Sequence, residues 1–553
     1  MRLRLVLLIA GSLLGAVAVL LGPGLPPGVV ALFSDGSSPS ADPAASPAAT
    51  AKTATPEAAS TEAARTRPAS PGTQPPPGPT APPAGSDTAA DTVTAAPATP
   101  LEAAALRARL EDLLAPVVSS APDPTLGLVV IDQHGALRYA HRGATAMIPA
   151  STQKLLTAAA ALRSLGPRHR FTTRALGGAS PTPDGVLAGD LLLRGSGDPT
   201  LTTPEFAALD PRRPSTPLAA VADQIAASGV RRISGRVLGD AGPFTADPLP
   251  EGWLPRYMTG LDGTRSAGLT VNAGRRLSIV DGQLRGEAAE DPVITAAAEL
   301  VHLLSQRGVT VDGGAGRVAV GTARDDLRRQ LGAVSSPPLD ELLRFMVGAS
   351  DNSIAEQLFL TVGLEAGGEA TWAGGARGVR AALSDLPLSW SGVRLADGSG
   401  LSRANRVPAA LLAELDLAMS RSELSEPWTS AMAVVGERGT LRARLRETVV
   451  DGRARGKTGS LTDVRALSGA VLGPRGEAYH FALLANDLDG PGVQAVRALQ
   501  DHLLLALAED LYGCVRVPLP APTSSPGTPP GTSPPAATPS PPPAPFELVC
   551  AET

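Results

Sequence analysis

Apolar residues recur at helical spacing from Leu101, where LEAAALRARLEDLLAPV sets Leu106, Leu110, Leu113 and Leu114 on one face and predicts an amphipathic helix. TLGLVVID and ALRYAHRG follow, divided by Gln133, His134 and Gly135, the pattern of two strands about a short turn. Pro149 and Ala150 then lead into STQKLLTAAAALRSL, an apolar helix with Ser151 in its first turn. Much later, LLRFMVGAS and SIAEQLFLTVGL read as helices, while LTDVRALSGAVLG and EAYHFALLAND read as strands around Pro474, Arg475 and Gly476. GVQAVRALQDHLLLALAEDLYG closes the pattern as a long helix. A helix and strands at one end, with strands and a helix at the other, predict an α/β (α+β) domain whose sheet is built from both ends.

Between these ends the rhythm changes. From about Phe171 to Ser336 the chain has short strands and glycine turns, with two similar blocks, LAAVADQIAASGVRRISGRVLGD and ITAAAELVHLLSQRGVTVDGGAGRVAVG. Each reads as a helix, a glycine stop and β-branched strand material, either a weak duplication or an ordinary αβ rhythm. The expected organisation is a catalytic domain at 101–170 and 337–517 with an inserted α/β domain at 171–336. The Ala/Pro/Ser/Thr segment at 34–100 and the Pro-rich tail at 518–553 lack apolar periodicity and are expected to be disordered. At 1–33, Arg2 and Arg4 precede an apolar run from Leu5 to Leu21, the pattern of a signal sequence or membrane anchor that sends the rest of the chain outward.

Charge narrows the partners. The net charge is −5 with both signs dispersed and no long basic run, which excludes nucleic acid as a partner class. The six histidines lack metal-ligand spacing, and the glycines of GSGDPT lack a strand–helix dinucleotide context, so no metal or cofactor is expected. Asp198 in that stretch reads as a turn residue. Two cysteines cannot form a disulfide framework, but Cys514 and Cys550 in an exported chain are expected to pair, the alternative being two free thiols. Lysine usage is the sharpest clue. Only three occur, Lys52, Lys154 and Lys457, among 48 basic residues, so arginine serves wherever a plain cation suffices. Arginine cannot lose its proton in a protein whereas a buried lysine can, which marks Lys154 and Lys457 for chemistry.

Both lysines sit in short motifs. Ser151-Thr152-Gln153-Lys154 sets a hydroxyl and an amine one helical turn apart, and an amine in dry surroundings can deprotonate a serine. Ser350-Asp351-Asn352 precedes a helix, where the same residue types also serve as caps. Lys457-Thr458-Gly459-Ser460 opens a strand and offers a cation and a hydroxyl to a carboxylate beside a small residue that admits substrate backbone. Each motif alone is weak. Together and in this order they are the set shared by penicillin-binding proteins and class A β-lactamases.

On these motifs, and on PASTQKLLTAAAAL, LRGSGDPTL, SPPLDELLRFMVGASDNSIAEQLF, LADGSGLSRANRVPA, GERGTLRARL and KTGSLTDVRALSG, the chain resembles the D-alanyl-D-alanine carboxypeptidase/endopeptidase family of low-molecular-mass penicillin-binding proteins. Ser350 lies 199 positions after Ser151, matching the subgroup with a large insertion between the first two motifs. The resemblance implies a penicillin-binding/serine β-lactamase-like fold, an antiparallel sheet flanked by helices. It implies Ser151 as the acylated nucleophile, Lys154 as its base, Ser350 as a proton relay and Asn352 as the side chain that holds the substrate amide and orients Lys154. Lys457, Thr458, Gly459 and Ser460 would bind the D-alanine carboxylate, with Ser460 standing where the family commonly has threonine. The N–H groups of Ser151 and Ser460 would form the oxyanion hole, and Arg403 would shape the pocket. Peptidoglycan peptides and, as covalent inhibitors, β-lactams are the implied partners. A β-lactamase and a silent wall-binding scaffold are the alternatives, and carboxypeptidase and endopeptidase activity would share the one site.

Overall fold

The computed structural model describes residues 100–119, 125–244, 249–260, 262–281, 283–319, 322–518 and 546–550, all within the unit Val93–Thr553. The leader expected at 1–33 and all but the last residue of the spacer at 34–100 lie outside them. Helix α1 (Pro100–Ser119) leads into strands β1 (Thr125–Asp132) and β2 (Leu137–His141), then helix α2 (Gln153–Leu165). Gln153 to Leu162 of α2 are all buried. A helix covered on every side needs slim side chains, and Ala158 to Ala161 supply them.

The middle of the chain builds a sheet of its own. Strands β3 (Thr172–Gly177), β4 (Leu191–Arg194), β5 (Val237–Asp240), β6 (Ala315–Arg317) and β7 (Arg329–Ser335) run in the order β6-β5-β4-β3-β7. Helices α3 (Leu218–Ala227) and α4 (Pro292–Ser305) bury Val221, Ile225, Leu300 and Leu304 against it. The two similar sequence blocks adopt the same helix–strand–strand order, and their matching strands lie side by side in parallel, Ile233 opposite Val311 and Val237 opposite Ala315.

The chain then returns to the first elements through helices α5 (Leu339–Gly348), α6 (Asn352–Gly367) and α7 (Ala409–Ser420). Strands β8 (Ala433–Val434), β9 (Ala454–Leu461), β10 (Val464–Leu472) and β11 (Ala478–Asn486) and helix α8 (Gly490–Leu511) complete it. An antiparallel six-stranded sheet results, in the order β8-β9-β10-β11-β1-β2, joining the two ends of the domain as the hydrophobic pattern implies. Alternation along β1 divides its side chains between two cores. Leu126, Leu128 and Val130 pack with α1 and α8, while Val129 and Ile131 pack with α2, α5, α6 and α7. All nine residues of β11 are buried because helices cover both faces of this central strand.

Two further details bear on the site and on the tail. The short β8 pairs only with Arg455 and Gly456 of β9, so from Lys457 onward β9 has a strand neighbour on one side alone among the described residues. Beyond α8, β12 (Val515–Pro518) pairs antiparallel with β13 (Phe546–Val549), and Cys514 is bonded to Cys550. The tail expected to be disordered from 518 thus comes back as a strand at its far end, where FELV is aromatic and β-branched material free of proline.

Candidate active site

Ser151 lies in a 3₁₀ turn, Ala150–Thr152, that runs directly into α2. Thr152 Oγ1 donates to Pro149 O at 2.7 Å and closes the turn. Ala150 takes the left-handed region at φ 46°, a strained conformation for a residue with a Cβ, and its surroundings hold it there. Gly400, at φ 87°, is so close that a Cβ would stand 1.9 Å from Ala150 O. On the other side a Cβ on Gly459 would come within 2.8 Å of Pro149 O. The glycines of two separate motifs therefore let their backbones clamp the serine turn.

Lys154 is fully buried one turn further along the chain. Its Nζ stands 3.1 Å from Ser151 Oγ, 2.6 Å from Asn352 Oδ1 and 2.8 Å from Ser399 O. A neutral amine has two N–H groups and one lone pair. Asn352 and Ser399 accept the two hydrogens, leaving the lone pair for the Ser151 hydroxyl to donate to. Burial pulls the ammonium down to about 8, against the pull of Glu356, Asp397 and Asp351, which favour its charge.

Ser350 sits half-buried at φ 64°, immediately before the N-cap of α6. Asp351 is that cap, accepting from Ile354 N at 2.8 Å, and Arg213 from the middle of the chain donates to its other oxygen. Arg213 also donates to Ser353 Oγ at 3.0 Å. Asn352 Nδ2 donates to Asp262 O at 2.7 Å, again from the middle of the chain, which fixes the amide so that its oxygen faces Lys154.

Lys457, also fully buried, donates to Thr458 O at 2.8 Å. Burial first, and then the nearby Lys154, hold its ammonium well below the usual lysine range. No carboxylate pairs with it among the described residues, so an arriving carboxylate would supply a missing counter-charge. Thr458 Oγ1 donates to Thr440 Oγ1 at 2.9 Å, and Ser460 lies opposite Arg465 on β10, leaving its other edge open. Arg403 donates to Asp463 Oδ2 at 2.5 Å and so ties the GSGLSR loop to the turn after β9. The serine, both lysines and the Asn of the three motifs thus converge on one place.

Four contributors escape the motifs. Ser399 acts through its main-chain carbonyl, which has no sequence identity. Glu356 is buried on α6 and accepts from Gly398 N at 2.8 Å and Ser399 N at 3.1 Å. Asp397 accepts from Gly400 N, Ser402 N, Asn405 Nδ2 and Trp253 Nε1 at 2.6–2.8 Å. Arg213 is the fourth. A charged residue inside the apolar run SIAEQLFL was the one legible signal for Glu356. Asp198, read as a turn residue, does accept from Thr200 N two positions on, at 2.8 Å, and is buried.

A half-buried serine beside a buried lysine at the head of a central helix, facing an open sheet edge with a second buried lysine, defines a serine acyl-transfer enzyme of the penicillin-binding class. The model of the D-Ala-D-Ala carboxypeptidase 3 (S13) family matches residues 107–290 and 283–507. A D-alanyl-D-alanine carboxypeptidase of Actinomadura sp. (strain R39) is 32% identical over 487 residues, covering 74% of this chain and 87% of the relative. A carboxypeptidase of Mycobacterium tuberculosis is 30% identical over 364 residues, 65% of this chain and 75% of the relative. Among solved structures, penicillin binding protein 4 of Haemophilus influenzae superposes with a TM-score of 0.61 at 22% identity, covering 71% of this chain and 99% of that one, and shares the fold. The chain belongs to the D-Ala-D-Ala carboxypeptidase 3 (S13) family and is a serine peptidase of that family.

Proposed function

We propose that this enzyme removes the terminal D-alanine from peptidoglycan stem peptides through an acyl-enzyme on Ser151, outside the cytoplasm. The observation that carries this reading is Lys154 Nζ at 3.1 Å from Ser151 Oγ, with Asn352 Oδ1 and Ser399 O as its other partners. Lys154 takes the serine proton as Oγ attacks the carbonyl carbon of the penultimate D-alanine. The N–H groups of Ser151 and Ser460 hold the developing oxyanion. As the C–N bond breaks, Ser350 passes a proton to the departing D-alanine, and water then hydrolyses the ester. Lys457 and Thr458 hold the terminal carboxylate, while Asn352 holds the substrate amide. The open edge of β9 supports this arrangement because an extended peptide can pair with it from Lys457 onward. Arg403 borders the same opening. The residues at 171–336 act as an inserted domain on this reading.

A β-lactam presents the same carboxylate beside a strained amide and stops at the acyl-enzyme. One Haemophilus influenzae penicillin binding protein 4 structure contains a β-lactam. The basic, then apolar run from Arg2 to Leu21 supports export, with the segment either retained as an anchor or removed. Intact-mass analysis and peptide mapping after benzylpenicillin treatment test the assignment. One adduct, on Ser151, is expected, together with release of D-alanine from purified muropeptides. A stable adduct on the Ser151→Ala variant overturns it, and the muropeptide products separate terminal trimming from cross-link cleavage.

A further inference from the structure

Behind the Ser–Lys pair lies a group for which the reaction has no evident use. Glu356 is buried on α6, and its two oxygens accept from the N–H groups of Gly398 and Ser399. The carbonyl of the same Ser399 accepts from Lys154 Nζ. The next carbonyl back, of Gly398, accepts from Thr157 Oγ1 on α2 at 2.7 Å, and Gln153 Nε2 donates to Asp397 O at 3.2 Å. Segment 397–400 is therefore stitched to α2 on one side and to Glu356 on the other. A carboxylate buried on an apolar helix is unfavourable unless hydrogen bonds and a counter-charge compensate it, and Glu356 has both in Gly398 N, Ser399 N and the nearby Lys154. Here it reaches from α6 to the N–H of Ser399, one peptide before the carbonyl that orients the amine.

We infer that Glu356 is a positioning residue for the general base, holding Lys154 Nζ against Ser151 through the backbone of Ser399 and placing one buried negative charge beside that amine. The inference rests on Lys154 being the base. The charged groups facing Lys154 are Glu356 and Asp351 from α6 and its cap, Asp397 from the loop, and Lys457 from β9. Those facing Glu356 are Asp397 and Lys154. Asp397 is saturated by four donors and Asp351 is matched by Arg213, so Glu356 is the acid left to answer Lys154. Burial, then Asp397, pushes the Glu356 carboxyl up to about 8, the range in which Lys154 loses its proton, so the two titrations should be linked.

The test uses the full chain labelled with [ε-¹³C]lysine, which gives three lysine resonances, with Lys52 assigned through Lys52→Arg. In the wild type Lys154 should titrate in two steps. In Glu356→Gln it should titrate in one, displaced acidward by about one pH unit because the attracting charge is gone. The rising limb of benzylpenicillin acylation should move with it, and the plateau rate should fall by roughly tenfold to 10²-fold as Nζ loses its fixed acceptor. Glu356→Asp keeps the charge and should return the limb toward the wild type. A plateau loss with an unmoved limb would mean a purely structural role and overturn the inference, as would wild-type behaviour. If Glu356→Gln does not fold, a single-step Lys154 titration in the wild type overturns it. Full acylation in Lys154→Arg would instead refute the base assignment itself, an outcome distinct from failure at Glu356.

Discussion

Lys154 and Lys457 are both sealed from solvent, but they keep different company. Three acids favour charge on Lys154, whereas none pairs with Lys457, whose ammonium burial and Lys154 hold far down. A substrate carboxylate bound at Lys457, as proposed, would reverse this balance. On the proposed reading it would favour the proton on Lys457, and a cation there would disfavour a second one on Lys154, freeing the base as substrate arrives. Lys154→Arg keeps a cation that cannot lose its proton, and acylation by benzylpenicillin should fall by at least about 10². Lys457→Arg should retain part of the rate, since a cation still faces the carboxylate. Equal, mild losses would mean the roles are misassigned. Lys154 is a base only when deprotonated, so the wild-type acylation rate should rise as pH rises through about 8. Stopped-flow rates across pH 6 to 10 check the direction. At this scale the scarcity of lysine in the sequence singled out both amines. The sequence was silent on the Ser399 carbonyl, because any residue carries one, and nearly so on Glu356, which resembles an ordinary helix glutamate.

Among elements, the junction between α6 and the middle of the chain matters most. The hydrophobic pattern sets 171–336 apart by its rhythm, and the strands of that segment lie in sheets other than β8-β9-β10-β11-β1-β2. What periodicity could not reveal is how Arg213 and Asp262 reach across to the second motif, since such contacts join residues 138 and 90 positions apart. Burial raises the Asp351 carboxyl, but Arg213, the Ile354 N–H and Ser353 more than offset this, and it ends below its usual range. The pairing therefore stabilises the fold at neutral pH and is lost as pH falls through that lowered value. Arg213→Ala removes the arginine paired with a mostly buried carboxylate, leaving it only the more distant Arg275 and Lys154. It should lower stability by about 3 kcal/mol and slow acylation by loosening the cap that carries Asn352. Arg213→Lys should recover part of both, as read from urea midpoints and penicillin labelling. Unchanged midpoints for Arg213→Ala would show that the ion pair contributes nothing.

On the scale of the whole molecule, covalent closure at the C-terminal end adds to the packed cores. Cys514 follows α8 directly and is bonded to Cys550, 36 positions later. Cross-linking a loop of this length restricts the unfolded chain by roughly 4 kcal/mol, less any strain. Cys550→Ser should therefore lower the unfolding midpoint while leaving acylation at Ser151 nearly unchanged, because the bond lies on the α1–α8 side of the sheet and the serine turn on the other. Thiol titration of the unreduced, denatured protein should find no free thiol, and two free thiols would end the idea. The bond also alters what a protease can accomplish here. A single cut between the two cysteines opens a ring instead of shedding a tail, so both new ends remain on one molecule. On a denaturing gel the nicked enzyme would keep its full mass until a reductant is added.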